Sequence, residues 1–240
     1  MTSLTGRMDD RFYPDYRDNW DDLLFRDHIL AAADPDMDVL DLGAGAGIID
    51  CMNFKGRFRT VTGLDPDERV RHNPFLDTGI VGFSEHMPFE SGSFDLVFSG
   101  NVLEHLSAPL TTFREVARVL RPGGRFLFKT PNRHHYMPMV AQLTPTGFHR
   151  YVNRLRGRAA VDTFPTLYRA NTPRQIERLA DQAGLVVNGI ELVEGRPEYL
   201  RMTAPTYLLG LAYERLVNRF QALESFRVLM VGDLLLAPQD

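Results

Sequence analysis

Several things are scarce in this chain, and each scarcity closes a route. Cysteine occurs once, at Cys51. An internal disulfide is therefore excluded, and the fold must rest on burial. The longest apolar stretches, near 207–212 and 229–237, are too short or too interrupted to span a bilayer. No charged-then-apolar segment opens the chain, so a cytoplasmic location is expected. Basic excess is missing too. The net charge is −4, which gives no general pull toward nucleic acid. Neither an internal repeat nor a low-complexity segment is visible. What remains is 240 residues, 44% of them hydrophobic, enough for one domain with a full core.

The most informative stretch present is Val39-Leu40-Asp41-Leu42-Gly43-Ala44-Gly45-Ala46-Gly47. A short apolar run ends in an acid, and glycines follow at alternate positions. The pattern predicts a buried strand, a tight turn, then a helix starting near Ala46. Without a Cβ, such a turn lets a ligand approach the backbone. Its spacing departs from the dinucleotide pattern G-x-G-x-x-G. Gly43 and Gly45 fit, but the sixth position is Ile48. Asp41 would also face a pyrophosphate with like charge in a dry crevice. A cationic ligand reverses that sign, and S-adenosylmethionine carries both a sulfonium and an ammonium. The plainer alternative is a glycine turn beside a strand-end acid.

Phe58–Leu64 reads as a second strand, ending in Asp65-Pro66-Asp67. An acid about twenty positions after the first glycine, at the tip of the second strand, can accept both hydroxyls of a ribose. Alternatively, Asp65 caps the next helix. Asp67 can take that duty, which leaves Asp65 free. Further on, Phe94–Ser99 reads as a strand followed by Asn101-Val102-Leu103-Glu104-His105-Leu106. Phe113–Leu120 reads as an amphipathic helix, with Phe113, Val116, Ala117 and Leu120 on one face. Arg121-Pro122-Gly123-Gly124 stops it, and Arg125–Lys129 begins another strand.

In this order and spacing, VLDLGAGAG, GLDPDE, MPFESGSFDLV, NVLEHL and RVLRPGGRFLFKTPN make residues 37 to 132 resemble a class I S-adenosylmethionine-dependent methyltransferase of the small-molecule type. The resemblance implies an α/β, Rossmann-like seven-stranded sheet, mostly parallel with an antiparallel last strand and helices on both faces. It implies cofactor contacts from Asp41, Gly43, Ala44, Gly45 and Gly47, and from Asp65 and Pro66. Ser84, Glu85, Ser99 and Asn101 join that set. S-adenosylhomocysteine would be the product. One position departs from the family pattern. Gly82-Phe83-Ser84-Glu85 stands where the family usually has Gly-Asp-Ala-Glu, whose aspartate accepts from the adenine amino group. Phe83 cannot accept, although Ser84 or a backbone carbonyl can. One such bond is worth about 1 kcal/mol.

Around that core, residues 1–36 form an N-terminal segment, with 1–18 polar and expected to be poorly ordered. Trp20–Ala33 reads as a helix of the kind that covers the cofactor in family members. Residues 133–172 form a substrate-side insert, far longer than a usual strand-to-helix loop. Residues 173–240 supply the C-terminal helices and strands. Thr172-Pro173 starts a helix that Gly184 ends, Leu185–Val193 is a strand, Ala204–Phe220 a helix, and Phe226–Ala237 holds the last strand. All of this reads as one methyltransferase domain.

The insert carries the substrate question. Strand ends in open parallel sheets line the ligand crevice. His134, His135 and Tyr136 follow such an end. Further along stand His149, Arg150, Arg154, Arg156 and Arg158. One reading is a basic lip for an anionic substrate such as a phosphate, a carboxylate or an acidic sugar. A second is a solvated helix with Phe148, Tyr151, Val152 and Leu155 on its inner face. A third rests this face, with Tyr207, Leu208, Leu209 and Leu211, on an anionic membrane surface.

Methyl transfer from a sulfonium needs alignment and a dry site, and a base only where the nucleophile must lose a proton. His105 is the first candidate base, its alternative being a packing role. Glu104-His105 also resembles a segment of ubiquinone-pathway O-methyltransferases. Two adjacent candidate ligands are too few for a metal, and none is predicted. The expected function is methylation of a small molecule or a glycan or lipid precursor, on oxygen before nitrogen. The alternative is a non-catalytic methyltransferase-fold protein with a binding or regulatory role.

Overall fold

The computed structural model describes residues 4–14, 16, 19–138 and 165–238. The chain forms two compact units. The larger is built from Asp21–Thr130, the stretch from Thr166 to Glu191, and the chain from Met230 on. The smaller takes the N-terminal residues to Trp20, the segment that begins at Pro131, and Leu192–Leu229.

The larger unit holds most of a seven-stranded sheet. Its strands are β1 (Asp38–Leu42), β2 (Thr60–Asp65), β3 (Thr78–Val81), β4 (Phe94–Gly100), β5 (Leu120–Pro131), β6 (Leu185–Val193) and β7 (Leu229–Leu236). They lie in the order β3-β2-β1-β4-β5-β7-β6. The pairs β1–β2, β1–β4, β2–β3 and β4–β5 are parallel. The last strands supply the antiparallel part, as expected. Val39, Leu40, Leu42, Leu96, Val97, Phe98 and Phe126–Phe128 are all buried. Such near-continuous apolar runs suit parallel strands covered on both faces. The strand order reverses between β1 and β4, which sets the ligand crevice at their carboxyl ends.

Helix α1 (Leu4–Phe12) opens the chain, and α2 (Trp20–Ala32) follows. Helix α3 (Pro109–Val119) starts with proline at its first turn and buries Thr112, Phe113, Val116 and Val119. Arg121 to Gly124 then bulge from β5. Phe94 pairs with Leu120 and Leu96 with Arg125, so four residues stand opposite one. Helix α4 (Pro173–Ala183) has Thr172 as its cap and Gly184 at φ 77° past its end. Both ends fall where the sequence puts them.

Two expectations are corrected. No α-helix begins near Ala46. Ile49 stays extended, and only a single 3-10 turn, Asp50–Met52, forms before β2. Two β-branched isoleucines followed by Asp50 and Asn53 are poor helix formers. Cys51 therefore sits in that turn, where burial pushes its thiol pKa up. Helix α2 ties the segment down instead: Arg26 donates to the Cys51 carbonyl and lies 5.0 Å from the Phe54 ring centroid. The N-terminus is the second correction. Residues 4–12 are helical, because their charges find partners far along the chain. Within the smaller unit, Asp9 accepts from the Tyr207 hydroxyl at 2.8 Å and pairs with Arg201. Tyr13 donates to Glu214 at 3.1 Å. These partners, Arg201, Tyr207 and Glu214, flank or belong to α5 (Ala204–Arg219), whose start is held by a reciprocal Thr203–Thr206 cap.

Candidate functional site

The carboxyl ends of β1, β2 and β4 assemble one lip. Gly43 turns the chain out of β1 at φ 86°, and its N–H donates to the Leu64 carbonyl at 2.8 Å. A Cβ there would lie 2.2 Å from a Val102 methyl. The turn therefore rests directly on the exit of β4. Gly45, at φ 52°, donates its N–H to Asp65 Oδ2 at 2.9 Å. A Cβ on Gly45 would meet nothing within 4 Å, so this side of the turn is open. Asp65 Oδ1 accepts from the Asp67 N–H at 2.8 Å. Each oxygen retains acceptor capacity, since a carboxylate offers about four lone-pair sites. Asp67 caps the short turn after β2 by accepting from the Arg69 N–H, which leaves Asp65 at the lip. Pro66 between them is exposed.

Asn73 is the residue that sequence reasoning missed. It is buried, and its amide donates to the carbonyls of Ala44 at 2.9 Å and Gly45 at 3.2 Å. Its own oxygen accepts from the Phe75 N–H. A Cβ on Gly47 would strike that oxygen at 2.1 Å. Asn73 thus clamps the glycine turn from outside. The Asn-Pro pair at 73–74 signals only a turn.

Two groups at the lip carry unspent polarity. Burial, aided by the charge of Asp65, pushes the Asp41 pKa up to about 7. Ser99, at the end of β4, is fully buried, and its hydroxyl has no hydrogen-bond partner among the described residues. Asn101 adopts a left-handed backbone, φ 58°, which asparagine tolerates better than most. Its N–H donates to the Lys129 carbonyl at 2.9 Å, and Lys129 is itself buried between Asp21 and Asp22.

Beyond Asn101, a 3-10 turn spans Leu103–His105. His105 is partly exposed, with Nε2 3.9 Å from Glu104 Oε1. Glu104 is buried, and burial raises its pKa. Its other oxygen accepts from Thr130 Oγ1 at 2.9 Å, whose hydroxyl accepts from Asn171 at 2.7 Å. This chain of bonds fixes the acid beside the histidine.

At the tip of β3, the side chains of Ser84 and Glu85 are already engaged. Ser84 Oγ donates to Glu85 Oε2 at 3.1 Å and lies 3.0 Å from Thr112 Oγ1. Ser107 donates to Glu85 Oε1 at 3.0 Å. Phe83 stands exposed. The structure thus brings together Asp41, Gly43, Ala44, Gly45, Gly47, Asp65, Ser99 and Asn101, while Ser84 is bonded to Glu85 and Thr112 and Glu85 to Ser84 and Ser107.

In the smaller unit, His134 is exposed. His135 is buried at 1% exposure, its ring centroid 4.0 Å from that of Tyr136 in a tilted contact and 5.5 Å from that of Tyr213 in an edge-to-face one. Burial drives its pKa down to about 3, so its ring is neutral. His135 and Tyr136, both expected to contact substrate, thus pack against each other. Tyr207 is buried as well, while Leu208 and Leu209 are exposed. Arg150 and the rest of the arginine-rich stretch, His149 included, lie outside the described residues. Among the described residues, no group of three or more His, Cys, Asp or Glu could hold a metal. No helix among them is long and apolar enough to cross a membrane.

Comparison with known proteins agrees with this geometry. The chain is 27% identical over 164 residues to a ubiquinone biosynthesis O-methyltransferase of Thiobacillus denitrificans, covering 61% of this chain and 63% of that one. A protein of the same name from Vibrio parahaemolyticus is 36% identical over 171 residues, covering 63% and 65%. The match thus spans under two thirds of these relatives' length. A geranyl diphosphate C-methyltransferase from Streptomyces coelicolor shares the fold, with a TM-score of 0.55 at 17% identity over 90% of this chain and 77% of that one. The family model described as a methyltransferase domain matches residues 15–188. That match takes in the whole glycine-and-acid lip, and with it the chain belongs to the methyltransferase-domain family.

Proposed function

We propose that this protein transfers a methyl group from S-adenosylmethionine to a small molecule or a glycan or lipid precursor, with oxygen as the acceptor atom. The observation that carries this reading is the Gly45 N–H held on Asp65 Oδ2, beside a turn too close to Val102 for any side chain at Gly43. Together they offer a bare backbone next to an acid, the combination an adenosine ribose needs. Asp41 supports a cationic ligand in particular. An acid whose pKa stands at about 7 gains from a nearby positive charge, which favours its ionised form. The unpaired Ser99 hydroxyl is a further polar group the lip can spend on a ligand. The Streptomyces coelicolor structure holds S-adenosylhomocysteine by its own description, and both curated relatives are named as O-methyltransferases.

When bound, the cofactor supplies a methyl group already activated by its sulfonium. The protein's part is alignment and, for a hydroxyl acceptor, a place for the proton. Asp65 and the Gly43–Gly47 turn hold the nucleoside end, with Asn73 keeping the turn in shape. Asp41 faces the charged end. His105 takes the acceptor proton, and Glu104 stabilises the imidazolium that results. His134, His135 and Tyr136 are the described candidates for substrate contact.

The experiment is a transfer assay with methyl-labelled S-adenosylmethionine and a panel of phenolic and sugar acceptors. Label should move to one acceptor class. His105→Ala should lower turnover at least tenfold while S-adenosylhomocysteine binding holds; equal turnover would remove His105 as the base. Phe83, exposed at the tip of β3 where the family pattern has an acid, favours one other reading, a non-catalytic fold with a binding or regulatory role. In that case the nucleoside binds and no acceptor is methylated.

A further inference from the structure

The smaller unit carries a helix face that its own core does not use. Helix α5 buries Tyr207, Gly210, Glu214 and Val217, which recur at helical spacing. Its opposite face holds Leu208, Leu209 and Leu216, and Phe220 follows at its end. These four side chains are from 48% to 66% exposed. The helix that presents them is pinned. It starts on the Thr203–Thr206 cap, and the Tyr213 hydroxyl ties it to the next turn by donating to the Phe226 carbonyl at 2.6 Å. Large apolar side chains held in water on a fixed helix are a costly surface without an occupant.

The same face is basic. Arg215 and Arg219 stand among these apolar residues at helical spacing, and both are exposed. Arg215 lies 3.3 Å from Glu214, yet its side chain is 62% exposed. Glu214 is the acid of α5, and it is buried and engaged by Tyr13 and Asn218. Helix α1, tied to α5 through Asp9 and Tyr13, exposes Leu4, Arg7 and Arg11. Among the described residues of the smaller unit, the exposed charged side chains are these four arginines, Arg133 and a single acid, Asp10. The whole chain carries −4, so positive charge is concentrated on this unit.

Charge decides among the occupants of such a face. A second copy of this chain would set Arg215 and Arg219 against their own counterparts. The stretch 139–164 of the same chain carries Arg150, Arg154, Arg156 and Arg158 against a single acid, Asp162, so it too brings like charge. An anionic lipid surface matches both halves of the face. Its acyl chains take the leucine and phenylalanine side chains, and its phosphates meet arginines on flexible stems. An acidic helix of a partner protein would match the charge as well. The exposed residues are divided between α1 and α5, however, which favours a broad surface over the single groove that a partner helix fills.

We propose that the exposed face of α5, with the arginines of α1, docks this protein on an anionic lipid surface. Leu208, Leu209, Leu216 and Phe220 enter the boundary between headgroups and acyl chains, and the arginines pair with lipid phosphates. The contact is peripheral, since no helix among the described residues is long and apolar enough to cross a membrane. It does not depend on which ligand the glycine turn holds.

The test is sedimentation of the intact chain with phosphatidylcholine vesicles and with vesicles of equal parts phosphatidylcholine and phosphatidylglycerol. The protein should pellet with the mixed vesicles and stay in solution with the neutral ones. Arg215→Gln together with Arg219→Gln should weaken pelleting about twentyfold, since each arginine near an anionic surface contributes about fivefold. Leu209→Gln together with Leu216→Gln should weaken it about tenfold or more, with thermal unfolding unchanged because both side chains are exposed. Equal pelleting with the two kinds of vesicle, or pelleting unchanged in either double variant, would overturn the proposal. So would no pelleting with the mixed vesicles; binding of an acidic amphipathic peptide in their place would give the face to a protein partner. A parent that light scattering shows to be a dimer, with the leucine variant a monomer, would give it to a second copy and overturn the proposal as well. S-adenosylhomocysteine should bind the parent and both variants alike, and its failure to bind would strike the cofactor reading alone.

Discussion

Asp38 and Asp41 sit three residues apart on one strand and live in opposite electrostatic worlds. Asp38, at the amino end of β1, takes bonds from Arg59 at 2.9 Å, Thr60 at 2.8 Å and Arg121 at 2.9 Å. Those partners, the Arg59 bond first, hold its pKa well below the usual carboxylate range. Asp95 joins the cluster, accepting from Arg121 and from the Asp38 N–H at 2.8 Å. Asp41, at the carboxyl end, has burial and the charge of Asp65 acting on it, and its pKa rises to about 7. One end of the sheet spends its charges on itself. The other keeps an acid in a state that a cation would relieve. Proteins hold such strain at sites of function and stabilise it elsewhere.

The largest effect should come from filling the turn. Gly43→Val puts a branched side chain at φ 86° and 2.2 Å from Val102. It should cost about 3 kcal/mol or more, from strain and overpacking together, and abolish nucleoside binding. Thermal unfolding and calorimetry read both. A variant as stable as the parent would mean the turn is not packed on β4.

Asp41→Asn separates the two ends next. The folded pKa of Asp41 is raised above an unfolded value near 3.9. Between about pH 4 and 7 the folded state keeps a proton that the unfolded state has lost. Stability therefore falls as pH rises through that window, and the full cost is present above it. Removing the charge should stabilise the protein at pH 8 by about 2 kcal/mol, after discounting for partial exposure, with little change at pH 4. Denaturant midpoints at the two pH values check it. The same variant should bind S-adenosylmethionine more weakly.

Asp38→Asn should do the reverse, and by less. The folded pKa is depressed, so its contribution is present above about pH 4 and is lost as pH falls toward the folded value. Arg59 is half exposed, so the cost at pH 7 should be only about 1 kcal/mol, with nucleoside affinity unchanged. A loss of affinity would show that the two ends are coupled.

The sequence makes the carboxyl-end chemistry legible because it is local. Glycines at alternate positions and acids at strand tips are read one residue after another. The Arg121-Pro122-Gly123-Gly124 stop and the Thr172 and Gly184 caps are legible for the same reason. The helix expected from Ala46 fails because periodicity after a glycine turn is weak evidence against Ile48-Ile49 and Asp50, whose preferences run the other way. Helix α1 is hidden for a different reason. Its order depends on Arg201 and Tyr207, nearly two hundred positions away. Asn73 is hidden likewise, since its partners are the backbone carbonyls of Ala44 and Gly45, which carry no sequence signature. His135 has the right chemistry on paper and sits packed among Tyr136 and Tyr213, a contact set that only the fold creates.

The most direct measurement is calorimetric titration with S-adenosylhomocysteine of the intact protein beside Asp65→Ala. The lip as described predicts micromolar binding by the intact protein, weakened at least tenfold in the variant, or about 1.5–3 kcal/mol for charge-assisted bonds. Unchanged affinity in Asp65→Ala, or no binding by the intact protein, would contradict the assignment of this end of the sheet as the nucleoside site.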